Sequence, residues 1–273
     1  MIKIFGTEIE QNRFPDNTLV LDITKHKVIS THLIKNQNIP ITWLYESDSE
    51  MFTIMCLVDI LHRNGFEHIT LTMPYLCNAR MDRIKNSYEN FSLKVFTNWL
   101  NSLHFDKVIT YNVHSNVSEA LINNIENHLP EDDIKYIIHE EYKPDMIFFP
   151  DEGACKRYSD MKIIKELGLP ISFGIKRRDW KTGKILGLDV IGEDFGGKNV
   201  LIIDDICSRG YTFFYSGKTL KELGAKDVQL YITHCENNIV NGELLKTDLI
   251  SKIYTTNSIC KIEHDKIKII HNF

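Results

Sequence analysis

No stretch of the chain approaches the roughly 20 apolar residues that a bilayer-crossing helix needs, which excludes that class of membrane protein. Met1-Ile-Lys-Ile-Phe5 is too short for the apolar region of a signal peptide and reads instead as a first strand. A basic excess is also missing, since 32 Lys and Arg stand against 37 Asp and Glu for a net charge of −5. Without a broad basic footprint, nucleic acid is excluded as a partner, and any phosphates bound belong to small molecules. The six cysteines, at positions 56, 77, 155, 207, 235 and 260, lie far apart and form no CxxC pair. This argues against a zinc site and a structural disulfide, and for reduced thiols in a cytoplasmic protein. Low-complexity segments and visible repeats are absent too.

What the 273 residues do contain is an alternation of apolar stretches and amphipathic helices, long enough for two modest α/β domains. Met51, Ile54, Met55, Val58 and Leu61 share one helical face, with Ser47 and Glu50 as a capping box and Gly65 as the stop. His68 to Met73 reads as a strand ending at Pro74. Phe91 to Leu103 reads as a helix, Lys107 to Val113 as a strand and Glu119 to Asn127 as a helix. Leu129-Pro-Glu-Asp-Asp133 is the linker candidate, and a division into residues 1–137 and 138–273 follows. The second series has strands at Met146 to Pro150, Ile171 to Ile175 and Val228 to His234. Its helices are Lys156 to Leu167, closed by Gly168, and one ending at Gly224.

The most informative stretch runs from Val200 to Thr212. Four apolar residues read as a doubly buried strand, which places Asp204 and Asp205 at its carboxyl end, where open α/β sheets bind ligands. Two adjacent carboxylates suit vicinal hydroxyls or a metal. Ser208-Arg-Gly-Tyr-Thr212 then offers backbone N–H groups, hydroxyls and the amino end of a helix to an anion. This order resembles the phosphoribosyl-pyrophosphate motif shared by the type I phosphoribosyltransferases and the ribose-phosphate pyrophosphokinases. The resemblance implies two tandem phosphoribosyltransferase-like α/β domains, each with a mainly parallel sheet flanked by helices. In that reading Asp204, Asp205, Ser208, Arg209, Gly210, Tyr211 and Thr212 bind ribose and phosphate.

Further segments separate the two families. Pro74-Tyr75, Ala79-Arg80 and Asp82-Arg83 put two guanidiniums and a carboxylate just after a strand, able to converge on one polyphosphate. They resemble the ATP-holding motif of the pyrophosphokinases, which phosphoribosyltransferases lack. Arg13-Phe14-Pro-Asp16 resembles the segment that reaches a neighbouring subunit's adenine in the oligomer, although Thr18 stands where the family has Glu. Phe14, Asp16, Arg80, Asp82 and Arg83 are thereby implied to bind ATP in a site shared within a homo-oligomer. Tyr111-Asn-Val-His114 resembles the strand end whose His approaches ATP and magnesium, with Asn112 replacing the usual Asp. Pro150-Asp-Glu-Gly-Ala-Cys-Lys-Arg157 resembles a turn whose Asp lies near a metal, which makes His114 and Asp151 the metal candidates. Ile175-Lys-Arg-Arg178 ends a strand with three mutually repelling cations, followed by Asp179 to Gly183, a polar segment able to move as a lid. It resembles the family's catalytic loop, and Lys176 and Arg178, with His114, become the catalytic candidates.

The implied reaction transfers the β,γ-diphosphate of ATP to the anomeric hydroxyl of a ribose 5-phosphate unit, with Mg2+ as cofactor and AMP leaving. Ser208-Arg-Gly-Tyr-Thr212 departs from the family's compact Asp-Thr-Gly-Gly-Thr. Arg209 and Tyr211 add a charge partner and a stacking partner for a larger acceptor. ADP-ribose fits, as in phage-type members of this family that pyrophosphorylate it in NAD rebuilding. Two alternatives stay open: a phosphoribosyltransferase, which needs neither Arg80 to Arg83 nor Lys176 to Arg178, and a non-catalytic regulatory subunit, opposed by the retained Lys176, Arg178, Asp204 and Asp205 and kept open by the departures at Thr18, Met81 and Asn112.

Overall fold

The computed structural model describes residues 1–178, 185–192 and 194–273, with the side chains of 176–178 and 185–187 left out of the description. The chain divides into two compact units, residues 1–128 with Phe273, and residues 129–272. In the first, β1 (Ile2–Ile4), β2 (Thr7–Glu8), β3 (Asn12–Arg13) and β4 (Leu19–Val20) precede α1 (Lys27–His32). Then come β5 (Ile39–Trp43), α2 (Glu50–Arg63), β6 (Ile69–Thr72), α3 (Ser92–Asn101), β7 (Lys107–Tyr111), α4 (Val117–Leu121) and β8 (Ile125–His128). The sheet order is β2-β1-β5-β6-β7-β8, parallel from β5 onward. Ile39, Ile41, Trp43, Ile54, Leu57, Leu71 and Phe96 lie in its core.

The second unit carries α5 (Glu131–Tyr136), a wider helical turn over Ile137–Glu141, β9 (Met146–Phe149), α6 (Glu152–Tyr158), α7 (Lys162–Leu167) and β10 (Ile171–Arg178). It continues with β11 (Ile185–Ile191), β12 (Asn199–Cys207), α8 (Tyr211–Glu222), β13 (Asp227–Cys235), β14 (Lys252–Thr256) and β15 (Ile267–His271). The order β11-β10-β9-β12-β13-β14-β15 is parallel except for β11. β12 is buried on both faces, as a parallel strand between helical layers must be. Val200 and Ile202 pack with Phe213 and Leu220 of α8, whereas Leu201 and Ile203 pack with Ala154, Tyr158 and Ile163.

Several expectations are corrected. The helix expected over Glu119 to Asn127 stops at Leu121. Asn124 takes a left-handed φ of 55°, which Asn tolerates, and Ile125–His128 becomes a strand on β7. Lys156 to Leu167 is two helices, because Met161 adopts extended backbone between them. Only half of the capping box forms. Glu50 accepts the Ser47 N–H at 3.4 Å, but the Ser47 hydroxyl pairs with Ser49 at 2.8 Å. Glu50 serves more as a buried acceptor for Trp43 Nε1 and the Glu46 N–H, at 2.9 and 2.8 Å. The linker candidate Leu129 to Asp133 already enters α5, and the units divide at 128/129, whereas the sequence suggested 137/138. β11 was not foreseen. Among the described residues no helix is long and apolar enough to cross a membrane.

Candidate active site

The sugar-and-phosphate candidates are built on β12 and its turn. The strand does not end at the aspartates, as expected, but runs through them to Cys207, because its register with β13 persists to Cys207↔Cys235. Asp205 is only 5% exposed, and its carboxylate receives Arg157 NH1 of α6 at 3.2 Å. Asp204 accepts the Asp205 backbone N–H at 2.9 Å. Burial, then the charge of Asp205, pushes the Asp204 carboxyl well above its ordinary range, with Asp151 adding to the effect. Asp151 follows β9, which pairs in parallel with β12 as far as Ile202↔Phe148.

Asp151 caps α6, accepting the Ala154 N–H at 3.0 Å, so part of the suspected metal ligand already serves the backbone. Among the described residues, no group of three or more His, Cys, Asp or Glu is placed to hold a metal ion. Asp204, Asp205 and Asp151 are oxygen donors of the kind magnesium takes alongside waters and phosphates.

After β12 the chain turns through Ser208 and Arg209 into Gly210, whose φ of 77° is the left-handed region that favours glycine. Gly210 caps α8, so the N–H groups of the first turn and the positive end of the helix dipole lie at this point, flanked in the sequence by Ser208 and Thr212. Arg209 is exposed and Tyr211 is 49% exposed.

In the first unit, a loop after β6 and a loop after β7 are joined by one carboxylate. Asp82 accepts the Ser115 hydroxyl at 2.8 Å and lies 3.3 Å from Arg83 Nε. Asp82 therefore brackets the basic loop to the segment carrying His114. Arg80, Arg83 and His114 are exposed, while Ala79 and Asn112 are buried, which anchors both loops. Asn112, at a left-handed φ of 47°, donates its N–H to His128 O at 2.7 Å. Phe14, 59% exposed, follows β3 in the β3–β4 hairpin, where Asp16 accepts the Thr18 N–H at 3.0 Å. Thr18 thus completes a local turn.

The backbone of Lys176 and Arg178 lies in β10, paired with Leu188 and Ile185. Their side chains, and the expected lid from 179 to 183, lie outside the described residues. Sequence reading overlooked Arg157 as the partner of Asp205 and Ser115 as the partner of Asp82. Arg157 carried a signal, as a cation one turn into the helix that opens at Asp151; Ser115 is an ordinary polar residue beside a candidate histidine and carried none.

No protein-family profile matches the chain. It is 29% identical over 231 residues to a ribose-phosphate pyrophosphokinase of Pyrococcus furiosus, covering 84% of this chain and 78% of that protein. The corresponding protein of Pyrococcus abyssi is 28% identical over 228 residues, covering 83% and 77%. Among solved structures, phosphoribosylpyrophosphate synthetase from Mycobacterium smegmatis matches 97% of this chain and 86% of its own with a TM-score of 0.77, at 18% identity. That likeness establishes the expected α/β fold. By sequence over most of its length, the chain is similar to ribose-phosphate pyrophosphokinases.

Proposed function

We propose that the chain is an ATP-dependent diphosphotransferase that moves the β,γ-diphosphate of ATP onto the anomeric hydroxyl of a ribose 5-phosphate unit and releases AMP. The observation that carries this reading is the continuous run of acidic strand, left-handed Gly210 and α8 amino terminus. Two carboxylates that suit sugar hydroxyls thus stand a few residues from a turn that suits an anion. The relatives' names agree with it.

Phosphoryl-type transfer is mostly positioning and charge neutralisation. Asp204 and Asp205 orient the ribose hydroxyls, and Arg157 positions the Asp205 carboxylate by pairing with it. Ser208, Thr212 and the α8 N–H groups hold the 5-phosphate. Arg80 and Arg83, bracketed by Asp82, bind the nucleotide, and Lys176 and Arg178 neutralise charge on the moving diphosphate. His114 and Asp151 are the residues that would hold Mg2+, which would supply charge neutralisation of the polyphosphate.

The test is AMP release from ATP and Mg2+ in the presence and absence of ribose 5-phosphate. Release that depends on the sugar phosphate supports the reading; release that requires a preformed activated sugar and a base points instead to a phosphoribosyltransferase. Lys176→Ala should lower kcat by about 100-fold or more if it acts on the developing charge.

A finer reading, ADP-ribose as acceptor, is favoured by exposed Arg209 and half-exposed Tyr211 beside the turn. Rates with ribose 5-phosphate and ADP-ribose should be compared in Arg209→Thr and Tyr211→Gly. Selective loss with ADP-ribose supports the larger acceptor, and equal losses oppose it. The exposed Phe14 favours a homo-oligomer with a shared ATP site. Light scattering should then give a mass above one chain that falls in Phe14→Ser.

A further inference from the structure

The anion turn does not stand on its own strand alone. The segment after β13 makes one helical turn over Asn237–Asn241 and another over Leu244–Lys246, and it packs behind the turn. The Glu236 N–H donates to Cys207 O at 2.8 Å, so the two loops leave adjacent strands tied together. Ile239 and Leu244, 0% and 1% exposed, root the segment in the core.

Two residues then meet the turn directly. A Cβ on Gly242 would lie 1.9 Å from Arg209 O and 2.9 Å from Arg209 C, far inside any tolerated separation. Its φ of −99° is open to every residue, so this position needs glycine for space and not for conformation. Asn238 Nδ2 donates to the Ser208 hydroxyl oxygen at 3.4 Å, and Asn238 Oδ1 accepts from Asn241 Nδ2 at 2.7 Å. That relay fills one lone pair of Ser208 with an amide donor and leaves the hydroxyl proton to be given to an acceptor in front, such as a phosphate oxygen. Gly210 is held from the same side, where its added Cβ would lie 2.9 Å from Leu244 Cδ2.

We infer that Asn238 and Gly242 are positioning residues for the sugar-phosphate subsite, acting through Ser208 and the Arg209 carbonyl. The inference rests on the proposed reading of Ser208–Thr212 as an anion turn. Gly242→Ala must displace the Arg209 peptide outward. Asn238→Asp replaces a donor with an acceptor, which turns the Ser208 proton away from the anion and adds a negative charge nearby. Asn238→Ala only removes the relay.

The experiment measures KM for ribose 5-phosphate and for ATP, the melting temperature, and binding of ribose 5-phosphate and of inorganic phosphate by calorimetry in all three variants. Gly242→Ala and Asn238→Asp should raise the sugar-phosphate KM about tenfold, with affinity falling in proportion, while the ATP KM stays within about twofold. Asn238→Ala should show a smaller effect than Asn238→Asp, with the melting temperature of both Asn238 variants within about 3 °C of the parent. Unchanged sugar-phosphate affinity in Gly242→Ala and Asn238→Asp overturns the inference, as does an equal rise in both KM values. A parent chain that releases no AMP defeats the proposed reaction, yet calorimetry still decides the inference. A parent that binds neither ribose 5-phosphate nor phosphate defeats both.

Discussion

Asp204 sits between two acids, with Asp205 beside it and Asp151 contributing to the same field, and burial makes its ionised form costly. Between its ordinary value of 3.8 and its raised folded value, the folded chain retains a proton that the unfolded chain has released. Stability therefore falls as pH rises through that window, and the deficit persists above it. Asp204→Asn should melt higher than the parent at pH 8 in metal-free buffer, with the advantage vanishing near pH 4; a constant difference across that range would refute the assignment. Asp205 faces a cation as well, since Arg157 pairs with it at 3.2 Å and the two side chains are only 22% and 7% exposed. Arg157→Met removes the guanidinium from this buried carboxylate and should cost about 2–4 kcal/mol in urea unfolding. Adding Asp205→Asn should recover much of that loss, because the desolvated charge is then gone.

At the scale of elements, the parallel strands were the most legible parts, because Met146–Phe149 and Val200–Ile203 are continuous apolar runs that must be buried on both faces. Helix ends with glycine were legible as well. Gly168 closes α7 at φ 59° with nothing within 4 Å of an added Cβ, so Gly168→Ala should cost about 1 kcal/mol through backbone conformation alone, read from the urea midpoint. Ile125–His128 was not legible, since Ile-Glu-Asn-His lacks any period and becomes a strand only through its pairing with β7. The same holds at the site. Charged and glycine-bearing motifs announce themselves by residue type, whereas Arg157, Ser115, Asn238 and Gly242 acquire their roles from chain segments that are distant in sequence. Their contacts depend on register and close approach, and neither is written locally.

At the scale of the whole molecule, each unit owns its own core, and the chain carries chemistry-bearing loops in both. The six cysteines are all free thiols, distributed across the two units. Burial pushes Cys77 in the first unit up to about 12. In the second, hydrogen bonding with Cys207, together with burial, pushes Cys235 up against the opposing effect of its hydrogen bond with Cys260, and hydrogen bonding with Cys235, together with burial, pushes Cys260 up. The thiolate is the reactive form, so these side chains are inert while their unit is folded. Cys56 and Cys155, partly accessible, should label first with iodoacetamide at neutral pH. Peptide mapping along a urea series should then show Cys77 labelling with the opening of residues 1–128, and Cys207, Cys235 and Cys260 labelling together with the opening of residues 129–272. Early labelling of Cys235 in the native protein would contradict this arrangement. The thiols thus equip the chain with a separate chemical clock for each unit, readable without any substrate.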